Sequence, residues 1–250
     1  MCGGRPCHAA HIFEQMRTKA VVIRLTDETT ITPLTDNGFT ASHPLFEPSP
    51  SDAQWKRDYK QHNANCLRDS PDAREGIVRH ISSGWGYDST AASPWISTTL
   101  SLDWAIWEAA RRLAKLDIDW VDMSLIKLEW TYNESYRGNR AIWIDPYPLI
   151  KHYESEELHD RAATAFAKSS SEILAHGRIF KKDIIMTLEW SLDHTPFCLP
   201  AYCFRPFERW PPPQGWLDKL VWDPCSDSFS EARKRMRKRS QHLSKFRTNE

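Results

Sequence analysis

No apolar run in the 250-residue chain approaches the roughly 18 to 20 residues that a bilayer-crossing helix requires. The first residues, MCGGRPCHAAHIF, lack a basic segment followed by an apolar one, so no signal peptide is expected either. The compartment these absences suggest is intracellular, cytoplasmic or nuclear. Also missing are the phosphate-cradling Gly-x-x-x-x-Gly-Lys-Ser/Thr, a Gly-x-Gly-x-x-Gly after a strand, a Gly-x-Ser-x-Gly elbow and His-Glu-x-x-His. Walker-type ATPases, Rossmann dehydrogenases, serine hydrolases and zincins lose their support together.

The six cysteines (Cys2, Cys7, Cys66, Cys198, Cys203 and Cys225) form no Cys-x-x-Cys pair. A chain this long can bury roughly 70 to 75% of its unfolded surface and does not depend on crosslinks, which fits reduced cysteines. Cys2, Cys7, His8 and His11 cluster near the start, but without the tight ligand pairs of a structural zinc site, so no metal is expected.

Charge of one sign is lacking only in total. The chain carries 33 Lys+Arg against 33 Asp+Glu, yet residues 231–250 hold eight basic side chains and two acids, net +6, leaving −6 for the rest. Residues 233–247 are thus a candidate nucleic-acid or tRNA contact or a nuclear address. A solvated, partly helical tail is the plainer reading.

What is present reads as an α+β chain. AVVIRL (20–25) is a buried strand by composition, after a flexible start at 1–19. Residues 26–94 are mostly connection, rich in Pro, Thr, Ser and Asp, with a short helix where Ala73, Ile77 and Ile81 recur before Ser82-Ser83-Gly84. SPWISTT (93–99) is a strand. SLDWAIWEAARRLAKL (101–116) is a helix with Leu102, Ala105, Ile106, Ala109 and Leu113 on one face, Ser101 as its cap and Asp103 and Arg111, Arg112 and Lys115 suiting its dipole. Strands are expected at 123–130, 141–145 and 183–190, with a helix over 149–170. SSEILAHGRI (170–179) reads as a loop leading to a short strand. Residues 196–230 form a Pro/Trp-rich arm, with a polyproline stretch at Trp210–Pro213, that covers the core or offers a ligand. A basic tail at 231–250 follows.

Three fragments fall in a telling order: VVIRL with Arg24, PWISTT with Ser97, and SSEILAHGRI with Glu172. Together they resemble the ADP-ribosyltransferase fold of the cholera-toxin-like group, in which an Arg ends the first strand, an aromatic-apolar-Ser-Thr-Ser strand leads into a helix, and a Glu precedes an apolar turn. SPWISTTLSLDWAIWEA is also similar to an uncharacterised fungal domain family. The resemblance spans roughly residues 20–190, within a domain expected at 20–195. It implies a split mixed β-sheet with flanking helices and an irregular C-terminal arm, and NAD as substrate for ADP-ribosyl transfer or glycohydrolysis. Catalytic roles then fall to Glu172, Ser97 and Arg24. Cofactor contacts fall to Arg24, to Trp95 stacking on nicotinamide, and to Thr98 and Thr99 lining the cleft. Ser170 stands on the acceptor side, where arginine-modifying members carry a second acid, so arginine is not the expected acceptor.

Each role has an independent chemical basis. Cleaving the nicotinamide bond builds positive charge on the ribose, which a fixed carboxylate stabilises. A planar guanidinium suits phosphate or ribose oxygens. Two other classes compete: a tRNA-dependent biosynthetic enzyme resembling arginine-containing cyclodipeptide synthases, and a non-catalytic interaction module. The first lacks its Asp-Asp-x-x-Glu motif, since Lys168 and Ser169 stand where the acids would precede Glu172. The ten histidines, His176 among them, show no ligand-pair spacing on a helix.

Overall fold

The computed structural model describes residues 21–43, 71–82, 92–116, 118–128, 142–152, 158–206 and 215–247. Eight strands are found among the described residues: β1 (Val21–Thr26), β2 (Gly38–Thr40), β3 (Trp95–Thr99), β4 (Trp120–Lys127), β5 (Ile142–Ile144), β6 (Glu172–His176), β7 (Arg178–Phe180) and β8 (Ile184–Ser191). The helices are α1 (Pro71–Ser82), α2 (Leu102–Lys115), α3 (Pro146–His152), α4 (Leu158–Ser170) and α5 (Phe229–Arg247). Six strands form one open sheet in the order β5-β6-β3-β1-β4-β8, and β2 pairs with β7 in a second. The class is α+β, and every described pairing is antiparallel.

The large sheet is split. β1 pairs with β4 from Val21↔Lys127 to Thr26↔Asp122, and β3 with β6 from Trp95↔His176 to Thr99↔Glu172, but β1 meets β3 at the single pair Ile23↔Thr99. The halves part beside that pair, and the parting decides where the polar side chains of the centre go.

Alternation along β1 feeds two cores. Val21, Ile23 and Leu25 pack with Trp104, Ile106 and Leu113 of α2, while Val22 joins Phe39, Ile96, Ile173 and Ile179 under the small β2–β7 sheet. A third cluster places Ile77 and Ile81 of α1 and Ala163 and Ala167 of α4 over Trp95 and Leu174. The cap of α2 is as expected: Ser101 Oγ accepts from the Trp104 amide at 3.1 Å.

Several expectations change. Residues 172–176 are a paired strand rather than a loop, because Ser171, at φ 51°, ends α4 in the left-handed region and turns the chain directly into β6. Composition misleads there, since a Ser pair reads as a turn without showing how short it is. Gly177, at φ 74°, then turns β6 into β7. The connection after β1 contains β2, where Gly38 has φ 103° and a Cβ would collide with the Ile179 carbonyl. The 149–170 helix is described as α3 and α4, with residues 153–157 outside the described ones.

The arm is core. Phe197, Leu199, Cys203, Trp216, Leu220 and Trp222 are buried in the same cluster as α2, while Trp210–Pro213 lies outside the described residues. Cys203 and Cys225 are free thiols, but Cys198 is disulfide-bonded. That bond corrects the expectation of uncrosslinked cysteines, which rested on length and motif spacing, and neither excludes a bridge between distant positions. The flexible start with Cys2, Cys7, His8 and His11 lies outside the described residues. Among the described residues no helix is long and apolar enough to cross a membrane.

Candidate active site in the split sheet

Arg24, Ser97 and Glu172 converge where the sheet parts. Arg24 points from β1 into the opening, and its Nη1 donates to the Ser97 carbonyl at 2.9 Å. A side chain thus satisfies a carbonyl that the diverging β1 backbone does not reach. Nη2 donates to the Thr32 carbonyl at 3.2 Å and to the Thr32 hydroxyl, and the guanidinium lies over the Phe39 ring, 5.0 Å from its centroid. Arg24 Nε is buried and has no hydrogen-bond partner among the described residues. Burial first, and the nearby Arg112 charge second, push the Arg24 pKa down to about 9 against the opposing pull of Asp27. The guanidinium stays charged at neutral pH.

On the adjoining strands, Ser97 Oγ donates to Glu172 Oε1 at 2.7 Å. Thr99 opposite Glu172 fixes the register, so Ser97 and Glu172 share one face of the β3–β6 ladder. The three side chains are 5%, 5% and 1% exposed, so the cluster is closed and largely dry.

The structure adds a residue that sequence reasoning missed. His80, on α1, lies with Nε2 2.9 Å from Ser97 Oγ and Nδ1 2.7 Å from Ser93 Oγ. Because Ser97 Oγ donates to Glu172, it accepts from His80, which places the proton on Nε2 and lets Nδ1 accept from Ser93. Ser93 Oγ in turn accepts from the Trp95 amide at 3.2 Å. A directional chain therefore runs from Ser93 through His80 and Ser97 to the carboxylate of Glu172. Its only trace in the sequence is the place of His80 beside Ile77 and Ile81, the inward residues of an amphipathic helix.

Burial, followed by repulsion from Arg24, depresses the His80 pKa to about 4. A histidine that is harder to protonate folded than unfolded contributes its full stability above the unfolded value of about 6.5. It loses that contribution as the pH falls toward the folded value. The ring keeps some solvent contact, so the loss is expected at about 1 to 3 kcal/mol. In urea titrations, the stability of the wild type relative to His80→Gln should shrink by that amount between pH 6.5 and 4. A difference that stays flat would remove the neutral histidine from the account.

Four expected contacts are placed elsewhere. Trp95 is 3% exposed and packs edge-on against His176 at 4.9 Å within the third core cluster, so it offers no face to nicotinamide. An aromatic at the start of a strand is drawn into the core by its area. Thr98 and Thr99 are fully buried, and their hydroxyls donate to the carbonyls of Ile173 and Ser170, knitting β3 to the α4–β6 corner instead of lining a cleft. Ser170 is also fully buried, and its hydroxyl donates to the Phe166 carbonyl at 2.8 Å within α4. His176 is a buried core residue.

Behind Arg24 stands a second ionic group. Arg112 Nη1 bonds Asp27 Oδ2 at 2.7 Å and its Nε bonds Glu108 Oε1 at 3.0 Å, while Arg111 holds the other oxygen of Glu108 at 2.7 Å. Among the described residues no three His, Cys, Asp or Glu side chains are grouped to hold a metal ion.

A family model described as a domain of unknown function, DUF7587, matches residues 18–193. The chain belongs to this family. The DUF7587 region spans β1 through β8 and contains Arg24, His80, Ser97 and Glu172, while the C-terminal arm and α5 lie beyond it. No curated protein matches the chain. A solved structure named EcPltA is similar at 16% identity with a TM-score of 0.39, over 70% of this chain and 78% of that one.

Proposed function

We propose that the DUF7587 domain of this chain cleaves NAD at the bond between nicotinamide and ribose, passing the ADP-ribosyl group to water or to an acceptor other than arginine. The observation that carries this reading is the convergence of Arg24, Ser97 and Glu172 at the split of the sheet, with Ser97 Oγ 2.7 Å from Glu172 Oε1.

The residues fit the chemistry. As the bond breaks, nicotinamide leaves with the electron pair and the ribose becomes cationic. Glu172, fixed by Ser97 and the histidine behind it, supplies negative charge in a site that needs little reorganisation. The hydrogen-bond chain also aligns the carboxylate before substrate arrives. Arg24 provides a charged donor, and its unpartnered Nε is a buried N–H suited to a phosphate or ribose oxygen. Thr32 holds the guanidinium, so a ligand reaching Nη2 replaces its two oxygens. An arginine acceptor is disfavoured because position 170 carries an uncharged serine turned into α4.

Incubation of the purified chain with NAD and chromatographic detection of nicotinamide tests the reading. Release above the non-enzymatic rate, lost in Glu172→Gln, is the expected result. A wild type that releases none, with or without added protein acceptors, would sink it.

A further inference from the structure

We propose that the outward face of α5 binds the phosphate backbone of nucleic acid without regard to base sequence. The helix has 19 residues and is seated on the core by one stripe: Phe229, Ala232 and Met236 are buried, and Arg239 and Leu243 continue the line half-buried. Phe229 packs on Trp107 of α2, 5.6 Å between ring centroids, and Trp107 Nε1 donates to the Asp227 carbonyl just before the helix. The anchored stripe fixes which residues point away from it.

Those residues are basic. Lys234, Arg237, Lys238 and Lys245 lie at spacings of three, four and seven on the opposite face, with Arg233 at its margin, and all five are exposed. At 1.5 Å per residue they extend over about 18 Å. A duplex presents one phosphate charge per about 1.7 Å of its axis, so that length faces roughly ten phosphates. Within α5 eight basic residues oppose one acid, net +7, which leaves −7 on the remainder of a neutral chain.

Among the described residues Arg235 pairs with Asp227 at 3.1 Å, whereas Arg233, Lys234, Arg237 and Lys238 show no ion pair. The one acid of the helix, Glu231, caps its start by accepting from the Ser228 amide and hydroxyl at 2.9 and 2.7 Å. A membrane surface fits less well, because the apolar side chains of the stripe face the core and the outward face has none to insert among lipids. α5 also stands outside the matched family region, so this function is independent of the proposed chemistry.

The test titrates the full-length protein against a fluorescein-labelled DNA duplex of roughly 20 base pairs and a mixed-sequence single-stranded RNA of similar length, over a range of potassium chloride concentrations. Five phosphate contacts predict a log–log salt slope of about −4.5 for the duplex and about −3.5 for the single strand. In the variant Lys234→Gln, Arg237→Gln, Lys238→Gln, Lys245→Gln the duplex slope should fall to about −1 and the affinity at about 100 mM salt by at least roughly 30-fold. Glutamine keeps helix propensity at exposed positions, so an unchanged far-ultraviolet spectrum and melting temperature are expected.

Absence of salt-dependent binding by the wild type, or equal binding by the variant, overturns the proposal. So does tighter binding to phosphatidylserine-containing vesicles than to the duplex at the same salt, or displacement of the duplex as readily by polyglutamate as by an equal charge of unlabelled RNA.

Discussion

Glu172→Gln is expected to reduce nicotinamide release by a factor of at least 100 to 1,000, about 2.7 to 4 kcal/mol of transition-state stabilisation, while leaving the fold and the Michaelis constant nearly unchanged. The substitution is close to isosteric, and the glutamine oxygen still accepts from Ser97, which stands 2.7 Å from Oε1. What disappears is the charge that opposes the growing cation on the ribose. Arg24→Ala should act differently, raising the Michaelis constant more than it lowers turnover, because a donor to phosphate or ribose oxygens serves ground state and transition state alike. It also leaves the Ser97 carbonyl without its partner at the parting of the strands, so its stability must be measured beside its kinetics. Equal turnover in Glu172→Gln and wild type would remove Glu172 from the chemistry, and a fall confined to kcat in Arg24→Ala would reassign the arginine.

The legible parts of this site were those that local pattern controls. A β-branched run gave β1 and placed Arg24 near its end, and an apolar face with a serine cap gave α2 within a residue at each end. The resemblance of three fragments to one family's motifs implied that Arg24, Ser97 and Glu172 belong together, and the sheet brings them to one point. Illegible was everything decided by which strand lies beside which. Trp95 is a stacking platform only by what the family resemblance implies, whereas the ladder turns it onto His176 beneath α1 and α4. Thr98 and Thr99 resemble cleft-lining hydroxyls until their partners, carbonyls 75 and 71 positions away respectively, are known. His80 is set against Ser97 by the packing of α1 across the sheet, which no spacing within α1 announces.

The largest effect on folding is expected from Asp27→Ala, at about 3 to 5 kcal/mol of lost stability. Asp27 follows β1 directly and is 3% exposed, and it meets Arg112, 2% exposed, at 2.7 Å. Removing the carboxylate takes one of its two acidic partners among the described residues from a buried guanidinium, and the other, Glu108, is already shared with Arg111. The same carboxylate organises the turn beyond β1, since Oδ1 accepts from the Thr29 amide at 2.9 Å, the Thr29 hydroxyl at 2.7 Å and the Thr30 hydroxyl at 3.1 Å. That turn leads to Thr32, which holds Arg24, so the damage reaches the candidate site through its neighbour. Burial raises the Asp27 pKa, but Arg112 and the threonine bonds outweigh it and the net value lies below the usual aspartate range. Its contribution is therefore complete at neutral pH, begins to fall as the pH drops below the ordinary aspartate value of about 3.9, and is gone once the pH has fallen through the lowered one. Urea denaturation of Asp27→Leu, Arg112→Met and the double variant separates the pair from the turn. An apolar pair of similar volume should restore at least half of what either single change removes, because neither charge is then left buried alone. Additive losses in the double variant would show that the turn, rather than the ion pair, sets the cost.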